Sequence, residues 1–204
     1  MFRNLTPVVR ALLIANLVAF AAEYLTGYNG MIVTFALWPW HSAAVGQPPF
    51  EPWQLVTYAF LHGGFWHIFG NMLALYMFGP DVEGVLGSRR FTLYYFVCVV
   101  GAALTQQLVT QPVFNDPAPT LGASGGIFGL LLFYGLAFPH RRVLLLIPPI
   151  PMPAWLFVTL YGLLELFLGV FGTSQGIAHF AHLGGMAAGA LMILYWHNQP
   201  GRRI

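Results

Sequence analysis

Six apolar runs determine what this chain can fold into, because each is about as long as a helix that crosses a lipid bilayer. Charged residues make up only 7% of the sequence, whereas soluble domains contain about 25%. The sequence therefore predicts an all-α membrane protein of one domain, residues 1–204, with six transmembrane helices in the lipid bilayer. The predicted spans cover about residues 7–25, 55–78, 91–109, 123–138, 154–171 and 177–196.

The basic residues indicate how the six spans are oriented. All eight are arginines beside the apolar runs, and with six alternating spans they all fall on one side of the membrane. By the positive-inside rule that side is the cytoplasm, so both termini are expected there. The arginines form no continuous basic surface, so no nucleic-acid partner is expected. They are Arg3, Arg10, Arg89, Arg90, Arg141, Arg142, Arg202 and Arg203.

A few polar side chains within the spans are expected to share one depth near the outer membrane face. Spans two, four and six all enter the membrane from that side. His67 and Asn71 lie in the outer half of span two, and Ser124 lies in the first turn of span four. At 1.5 Å per residue, His182 lies roughly 8 Å below the start of span six. Polar groups inside a membrane are costly without partners, so this shared depth indicates a functional site.

Glycines predict that spans four and six pack closely enough for Ser124 and His182 to form a hydrogen bond. Gly185 and Gly189 follow the small-xxx-small pattern that lets two membrane helices approach each other. A Ser–His hydrogen bond needs about 2.6–3.2 Å between heavy atoms, which such packing permits. Span four offers a matching smooth surface at Gly122, Gly125, Gly126 and Gly129.

These residue types suit hydrolysis by a serine nucleophile. His182 can take the proton of Ser124, and the backbone N–H of Ser124 at a helix N-terminus can stabilise an oxyanion. Asn71 and His67 can supply further hydrogen-bond donors from span two. Phe128 lies one turn below Ser124, where its ring can stack against that of His182.

No acidic residue is expected beside His182. The nearest acidic residue within the spans is Glu165 of span five, and the sequence is interpreted as placing it nearer the middle of the membrane. The expected arrangement is therefore a Ser–His dyad rather than a triad with a carboxylate.

Two alternatives to a hydrolytic site fit the same residues. A serine among glycines can serve helix packing, or it can bond to the preceding helical turn. The pair His179 and His182 could instead bind a metal or haem. Further ligands for that site would come from span two, at His62 and His67, although no carboxylate or cysteine is expected at their depth. The hydrolytic interpretation expects neither a metal nor a cofactor.

Four motifs in the sequence resemble those of the rhomboid family of intramembrane serine proteases. The nucleophile motif is GASG at residues 122–125, and the general-base motif is AHLGGMAAG at residues 181–189. Two further motifs are HGGFWHIFGN at residues 62–71 and FGPDVE at residues 78–83, with LG at residues 86–87. Their order along nearly the whole chain is far more specific than any one motif.

The resemblance implies the six-helix rhomboid bundle and a dyad of Ser124 and His182. It also implies an oxyanion hole formed by His67, Asn71 and the backbone of Ser124. The implied reaction is cleavage of single-span membrane proteins near the outer face, by a multi-pass protein of a bacterial inner membrane. The supporting positions are Phe128, Gly122, Gly125, Gly185, Gly189 and His62.

Two positions depart from the family pattern. Gln54 follows Trp53 where many members have arginine, and Phe128 stands where tyrosine is common. Both catalytic residue types are present, yet a non-catalytic rhomboid-like protein that binds transmembrane helices is an alternative. No soluble domain is appended, so the minimal six-helix form is expected. Substrate helices are expected to enter between spans two and five, where glycines at residues 172–178 suit a mobile lid.

Overall fold

The computed structural model describes residues 5–110, 117–144, 149–171 and 178–199, most of which are helical. The helices are α1 (Pro7–Thr26), α2 (Tyr28–Phe35), α3 (Gln54–Thr57), α4 (Phe65–Leu86), α5 (Ser88–Thr105), α6 (Ser124–Ala137), α7 (Ala154–Phe171) and α8 (His179–His197). Short 3₁₀-helices cover Ser42–Val45 and Tyr58–Phe60, and a π-helical turn at Gln106–Thr110 continues α5. The strands β1 (Arg142–Leu144) and β2 (Pro151–Pro153) pair antiparallel, with Val143 opposite Met152.

Several of these helices have the length and composition of membrane spans. Among the described residues, three stretches are long and apolar enough to cross a membrane, namely Pro7–Thr26, Ser88–Val109 and Ala154–Phe171. The helix Ser124–Ala137 is apolar but shorter. With 22 and 19 residues, α4 and α8 are long enough as well, since about 20 helical residues cross the hydrocarbon core. The fold is therefore all-helical with apolar candidate spans. That the chain crosses the membrane six times stays a prediction.

The second apolar run is divided rather than continuous. Its first part forms α3 and a 3₁₀ turn, and α4 begins only at Phe65 and continues to Leu86. Between them the chain passes through Gly64, whose φ of 152° is unfavourable for residues with a side chain. As a result, His62 precedes α4 while His67 lies within it, and their rings meet edge to face with centroids 5.0 Å apart.

Helix α5 packs against both α6 and α8 and brings them together. Small residues allow these contacts, since a Cβ on Gly101 would overlap Ala188 of α8. The buried hydroxyl of Tyr94 donates a hydrogen bond of 2.8 Å to the carbonyl of Gly129 in α6. These close contacts fix α6 and α8 side by side, which is the arrangement that the site requires.

Acidic side chains near the end of α4 fix neighbouring parts of the chain. Glu83 is buried and accepts the backbone N–H groups of Val8 at 3.1 Å and Val9 at 3.0 Å. The first N–H groups of a helix have no partner within it, so Glu83 caps α1 and joins it to α4. Asp81 forms an ion pair of 2.7 Å with Arg141, just before β1.

The connection between α1 and α4 packs beside the loop that leads to α6. Leu37 and Thr120 exchange two backbone hydrogen bonds of 2.9 Å. Gln54 is fully buried, and its side-chain oxygen accepts the N–H groups of Trp38 at 3.1 Å and Glu51 at 3.2 Å. The amide of Gln54 therefore anchors this connection at the position where the family pattern favours arginine.

Candidate active site

A hydrogen bond joins the side chains of Ser124 and His182. Ser124 is the first residue of α6, and His182 lies in the first turn of α8. Oγ of Ser124 is 2.8 Å from Nε2 of His182. The side chain of His182 is only 12% exposed. A hydroxyl at this distance from an imidazole nitrogen is positioned to transfer its proton to that nitrogen.

Glycines allow α6 and α8 to approach at this point. A Cβ on Gly185 would overlap the backbone carbonyl of Gly125. A Cβ on Gly129 would overlap Cys98 of α5 and would also lie 3.3 Å from the carbonyl of Gly185. Two other glycines of the predicted contact surface face α5, since Gly126 lies against a tyrosine ring and Gly189 against a tyrosine hydroxyl. The close approach of α6 to α8 therefore centres on Gly185, one turn beyond His182.

The ring of Phe128 covers one face of the His182 imidazole. Their centroids are 4.2 Å apart and their planes differ by 9°. Phe128 also contacts Tyr161 of α7, with centroids 4.9 Å apart. Offset stacking of this kind contributes about 0.5–1.5 kcal/mol beyond buried area. The stack disfavours rotation of the imidazole about the Cβ–Cγ bond, because that rotation would turn the ring out of the stacked plane.

The expectation that no acidic residue lies beside His182 is wrong. Oε2 of Glu165 lies 2.9 Å from Nδ1 of His182 and 2.6 Å from Nδ1 of His179. Glu165 is 5% exposed. The sequence did contain a signal, because Glu165 stands only six residues before the end of α7 at Phe171. At 1.5 Å per residue that is roughly 9 Å from the helix end, close to the depth predicted for His182.

These hydrogen bonds determine where the imidazole hydrogens lie. An ionised carboxylate only accepts hydrogen bonds, so Nδ1 of each histidine carries the donated hydrogen. In neutral His182 the other nitrogen, Nε2, is then the acceptor for the hydroxyl of Ser124. Two consecutive hydrogen bonds thus join Ser124, His182 and Glu165 in that order.

Glu165 of α7 and the two histidines of α8 are a possible set of metal ligands. Ligand atoms of Glu165, His179 and His182 lie within 4.8 Å of one another. The Nδ1 atoms and the carboxylate already bond to each other, and Nε2 of His182 bonds to Ser124. The cluster therefore fits a hydrogen-bonded relay as it stands, and a metal ion would have to displace these bonds.

His67 and Asn71 lie beside the loop that leads to Ser124. A Cβ on Gly122 would lie 2.7 Å from Nε2 of His67 and 3.7 Å from Nδ2 of Asn71. The N–H of Gly63 donates to Nδ1 of His67 at 3.3 Å, which leaves the hydrogen of the neutral ring on Nε2. Asn71 is 8% exposed, and its Nδ2 has no hydrogen-bond partner within the described ranges. A buried donor without a partner suits a group that binds a developing oxyanion.

Glu23, near the C-terminal end of α1, is a buried acid that the sequence analysis missed. It is 2% exposed, and its carboxylate accepts the backbone N–H of His62 at 3.2 Å. His62 is fully buried, and neither of its ring nitrogens has a hydrogen-bond partner in the part of the chain that the structure describes. Its ring contacts His67, so His62 supports His67 through packing. A glutamate inside an apolar run was the available signal.

A cavity of about 1000 Å³ contains the site. Side chains of α4, α6, α7 and α8 line it, and the walls on α4 and α7 carry apolar groups such as Trp66 and Leu164. Of the loop predicted as a lid, residues 172–178, all but the last residue lie outside the described residues. The polar side chains that line the cavity include those of His67, Asn71, Ser124, Glu165, His179 and His182.

These features define an all-helical protein with apolar candidate spans and a serine–histidine pair set in a cavity between its helices. Among protein families, the Rhomboid domain matches residues 49–199 of this chain. The chain belongs to the rhomboid family. Members of this family are integral membrane proteins and are generally intramembrane serine proteases.

Curated relatives agree with this assignment. The chain is 34% identical over 146 residues to Rhomboid protein 1, mitochondrial, of Saccharomyces cerevisiae, covering 68% of this chain and 40% of the relative. It is 25% identical over 192 residues to rhomboid protease GlpG of Klebsiella pneumoniae, covering 93% and 63%. It is 41% identical over 97 residues to rhomboid protease GluP of Bacillus subtilis, covering 47% and 18%. The matches thus span less than two thirds of the length of each of these relatives.

Proposed function

We propose that the protein is an intramembrane serine endopeptidase that cleaves single-span membrane proteins near the outer membrane face. The observation that carries this proposal is the 2.8 Å hydrogen bond between Oγ of Ser124 and Nε2 of His182. That pair lies in a cavity with two further polar side chains from α4. Membership of the rhomboid family supports the same reaction, because several relatives are named proteases.

Acylation begins when Oγ of Ser124 attacks the carbonyl carbon of the scissile peptide bond. The hydroxyl proton moves to Nε2 of His182, and a tetrahedral intermediate with a negative oxygen forms. The imidazolium then gives that proton to the leaving nitrogen, and the C–N bond breaks. One product leaves with a free amine, while the other remains bound to Ser124 as an ester.

Deacylation repeats these steps with water as the nucleophile. His182 takes a proton from the water as its oxygen attacks the ester carbonyl. The second tetrahedral intermediate collapses, the ester C–O bond breaks, and Oγ of Ser124 recovers the proton from His182. The second product leaves with a new carboxyl group, and the enzyme returns to its starting state.

The oxyanion of both intermediates needs hydrogen-bond donors that are already in position. Three donors converge on the loop before α6, namely the backbone N–H of Ser124, Nε2 of His67 and Nδ2 of Asn71. The N–H of Ser124 is in the first turn of α6, so the helix itself does not use it, and the helix dipole favours a negative charge there.

A transmembrane helix is the substrate that this cavity fits best. Trp66 on α4 and Leu164 on α7 line the cavity and are 78% and 48% exposed. Large exposed apolar side chains on membrane helices suit contact with lipid or with another helix. A substrate helix that enters between α4 and α7 would contact these side chains before its backbone reaches Ser124.

The proposed topology has six spans within one domain, residues 1–204, and both termini in the cytoplasm of a bacterial cell. The arginine distribution supports this orientation in the inner membrane. No nucleic acid and no metal is needed for the proposed reaction. The hydrolytic water would reach Ser124 from the outer face, to which the site lies close in this topology.

The test uses the full chain, purified in detergent and reconstituted with a tagged single-span reporter. We expect Ser124→Ala and His182→Ala each to abolish cleavage while the thermal unfolding temperature stays near that of the unchanged protein. Thr159→Ala on α7, whose hydroxyl donates to the carbonyl of Trp155 in the same helix, is the control and should cleave normally.

Labelling with a fluorophosphonate separates an enzyme from a binding protein. The reagent should modify Ser124 in the unchanged protein and should not modify Ser124→Ala. Cleavage that persists in purified Ser124→Ala protein would contradict the proposal. A folded protein that neither cleaves nor reacts would instead favour a non-catalytic rhomboid-like protein that binds transmembrane helices.

A further inference from the structure

Glu165 is the single carboxylic acid of α7, whose other seventeen residues include no acid, lysine, arginine or histidine. A carboxylate within an apolar membrane helix is costly and is retained where it has partners and a role. Here its partners are His179 and His182 of α8, and all three side chains are largely buried. The residue therefore belongs to the polar site and not to the lipid-facing surface.

We propose that Glu165 is a positioning residue that orients His182, giving a Ser124–His182–Glu165 relay in place of a dyad. The inference rests on the proposed protease function. Three contacts hold the imidazole of His182: Glu165 at Nδ1, Ser124 at Nε2 and the ring of Phe128 against its face. Each removes a different motion, so the ring is fixed in the orientation that the base requires.

The charge of Glu165 acts on the same step. When His182 takes the proton of Ser124, the ring becomes an imidazolium 2.9 Å from the carboxylate oxygen. Opposite charges attract more strongly between largely buried side chains than in bulk water. Glu165 stays ionised throughout, and Nδ1 of His182 keeps its hydrogen, so no proton moves onto the carboxylate.

His179 fixes the carboxylate in turn. Its Nδ1 donates to the same oxygen, Oε2, that His182 uses, and its ring stands at 89° to that of His182. Positions 179 and 182 are three apart on α8 and therefore face the same side of that helix. His179 thus limits the rotation of the Glu165 side chain, and its loss should weaken the relay less than loss of Glu165.

Three variants of Glu165 separate orientation from charge. Glu165→Gln keeps an oxygen that can accept from both histidines but removes the charge, whereas Glu165→Leu removes both. Glu165→Asp keeps the charge on a shorter side chain. We expect kcat to fall by about tenfold or more in Glu165→Gln and further in Glu165→Leu, with partial recovery in Glu165→Asp.

Two readouts distinguish positioning from a purely structural role. KM for the single-span reporter should change by less than about twofold, because the lost interaction is made with the base and not with the substrate. The rate of fluorophosphonate labelling at Ser124 should fall by the same factor as kcat, since it measures the activation of Ser124 without a protein substrate. Glu51→Gln, an acid outside the cavity, is the matched control and should leave both rates unchanged.

The outcomes separate failure of this inference from failure of the proposed function. If Glu165→Gln and Glu165→Leu keep kcat and the labelling rate within twofold, while Ser124→Ala is inactive, the relay is wrong and the protease stands. If one variant does not fold, the other two decide by the same comparison. If the unchanged protein neither cleaves nor reacts, both proposals fail. Activity that is lost in a chelator and restored by Zn²⁺ would overturn the relay in favour of a metal site.

Discussion

Oε2 of Glu165 lies 2.9 Å from Nδ1 of His182, and on the other side of the same ring Nε2 lies 2.8 Å from Oγ of Ser124. The imidazole therefore connects a buried acid on α7 with a serine at the start of α6. His182 is held at both nitrogens, which gives it one tautomer and one orientation.

Replacing Asn71 with Ala removes a buried donor next to Gly122. If the amide of Asn71 stabilises the oxyanion, kcat should fall by about 10²–10³-fold with little change in KM. Steady-state cleavage of the single-span reporter measures both constants. Asn16→Ala removes another buried amide, one that bonds within α1, and should leave kcat of the folded protein unchanged. Equal kcat values for the two variants would exclude Asn71 from the oxyanion hole.

Replacing Phe128 with Leu removes the stack on His182 but keeps an apolar side chain at that position. The stack contributes about 0.5–1.5 kcal/mol, so kcat should fall by about twofold to tenfold. Phe128→Tyr keeps the ring and should retain kcat. The comparison is made by steady-state cleavage, together with fluorophosphonate labelling of Ser124. Full activity in Phe128→Leu would mean that the other contacts of His182 suffice to orient it.

Replacing Gly185 with Ala places a methyl group against the backbone carbonyl of Gly125. Helices α6 and α8 would have to separate, which should cost about 1–3 kcal/mol in the free energy of unfolding and weaken the Ser124–His182 hydrogen bond. Thermal unfolding and cleavage measure the two effects. Gly84→Ala is the matched control, because a Cβ on this helical glycine of α4 has no heavy atom within 4 Å. Its unfolding temperature should not fall, since Ala favours a helix.

Replacing Gln54 with Ala leaves the buried N–H of Trp38 and the partly buried N–H of Glu51 without the side-chain oxygen that they share. Unpaired buried donors cost about 1–3 kcal/mol, so the unfolding temperature should fall. Gln47→Ala, at an exposed position of the same connection, should leave it unchanged. If both variants unfold at the same temperature, the amide of Gln54 does not anchor this connection.

The sequence predicted much of the helical architecture but not the way its second apolar run divides. Apolar residues continue from Leu55 through Phe78, so composition alone indicated one long span. In the structure α4 begins at Phe65, ten residues later than predicted. The adjacent Gly63 and Gly64 were the available signal, because glycines in a helical pattern often mark its boundary.

The position of Glu165 was available from the sequence, whereas the side of α7 that it faces was not. Counting from Phe171 puts Glu165 at about the depth of His182. Apart from this residue, apolar side chains occur on every side of α7. Their distribution therefore does not indicate which side of the helix faces the other helices. Only packing against α6 and α8 turns Glu165 towards His179 and His182.

By itself, the sequence determined the helical class and the rhomboid resemblance, and it predicted the pairing of Ser124 with His182, because apolar runs, glycine spacing and motif order can be read along the chain. The tertiary structure decided which polar groups surround that pair. It brought Glu165 to Nδ1 of His182, and it left Nδ2 of Asn71 beside Gly122. These contacts depend on how each helix is rotated about its axis, and that rotation is set by close packing between helices distant in sequence.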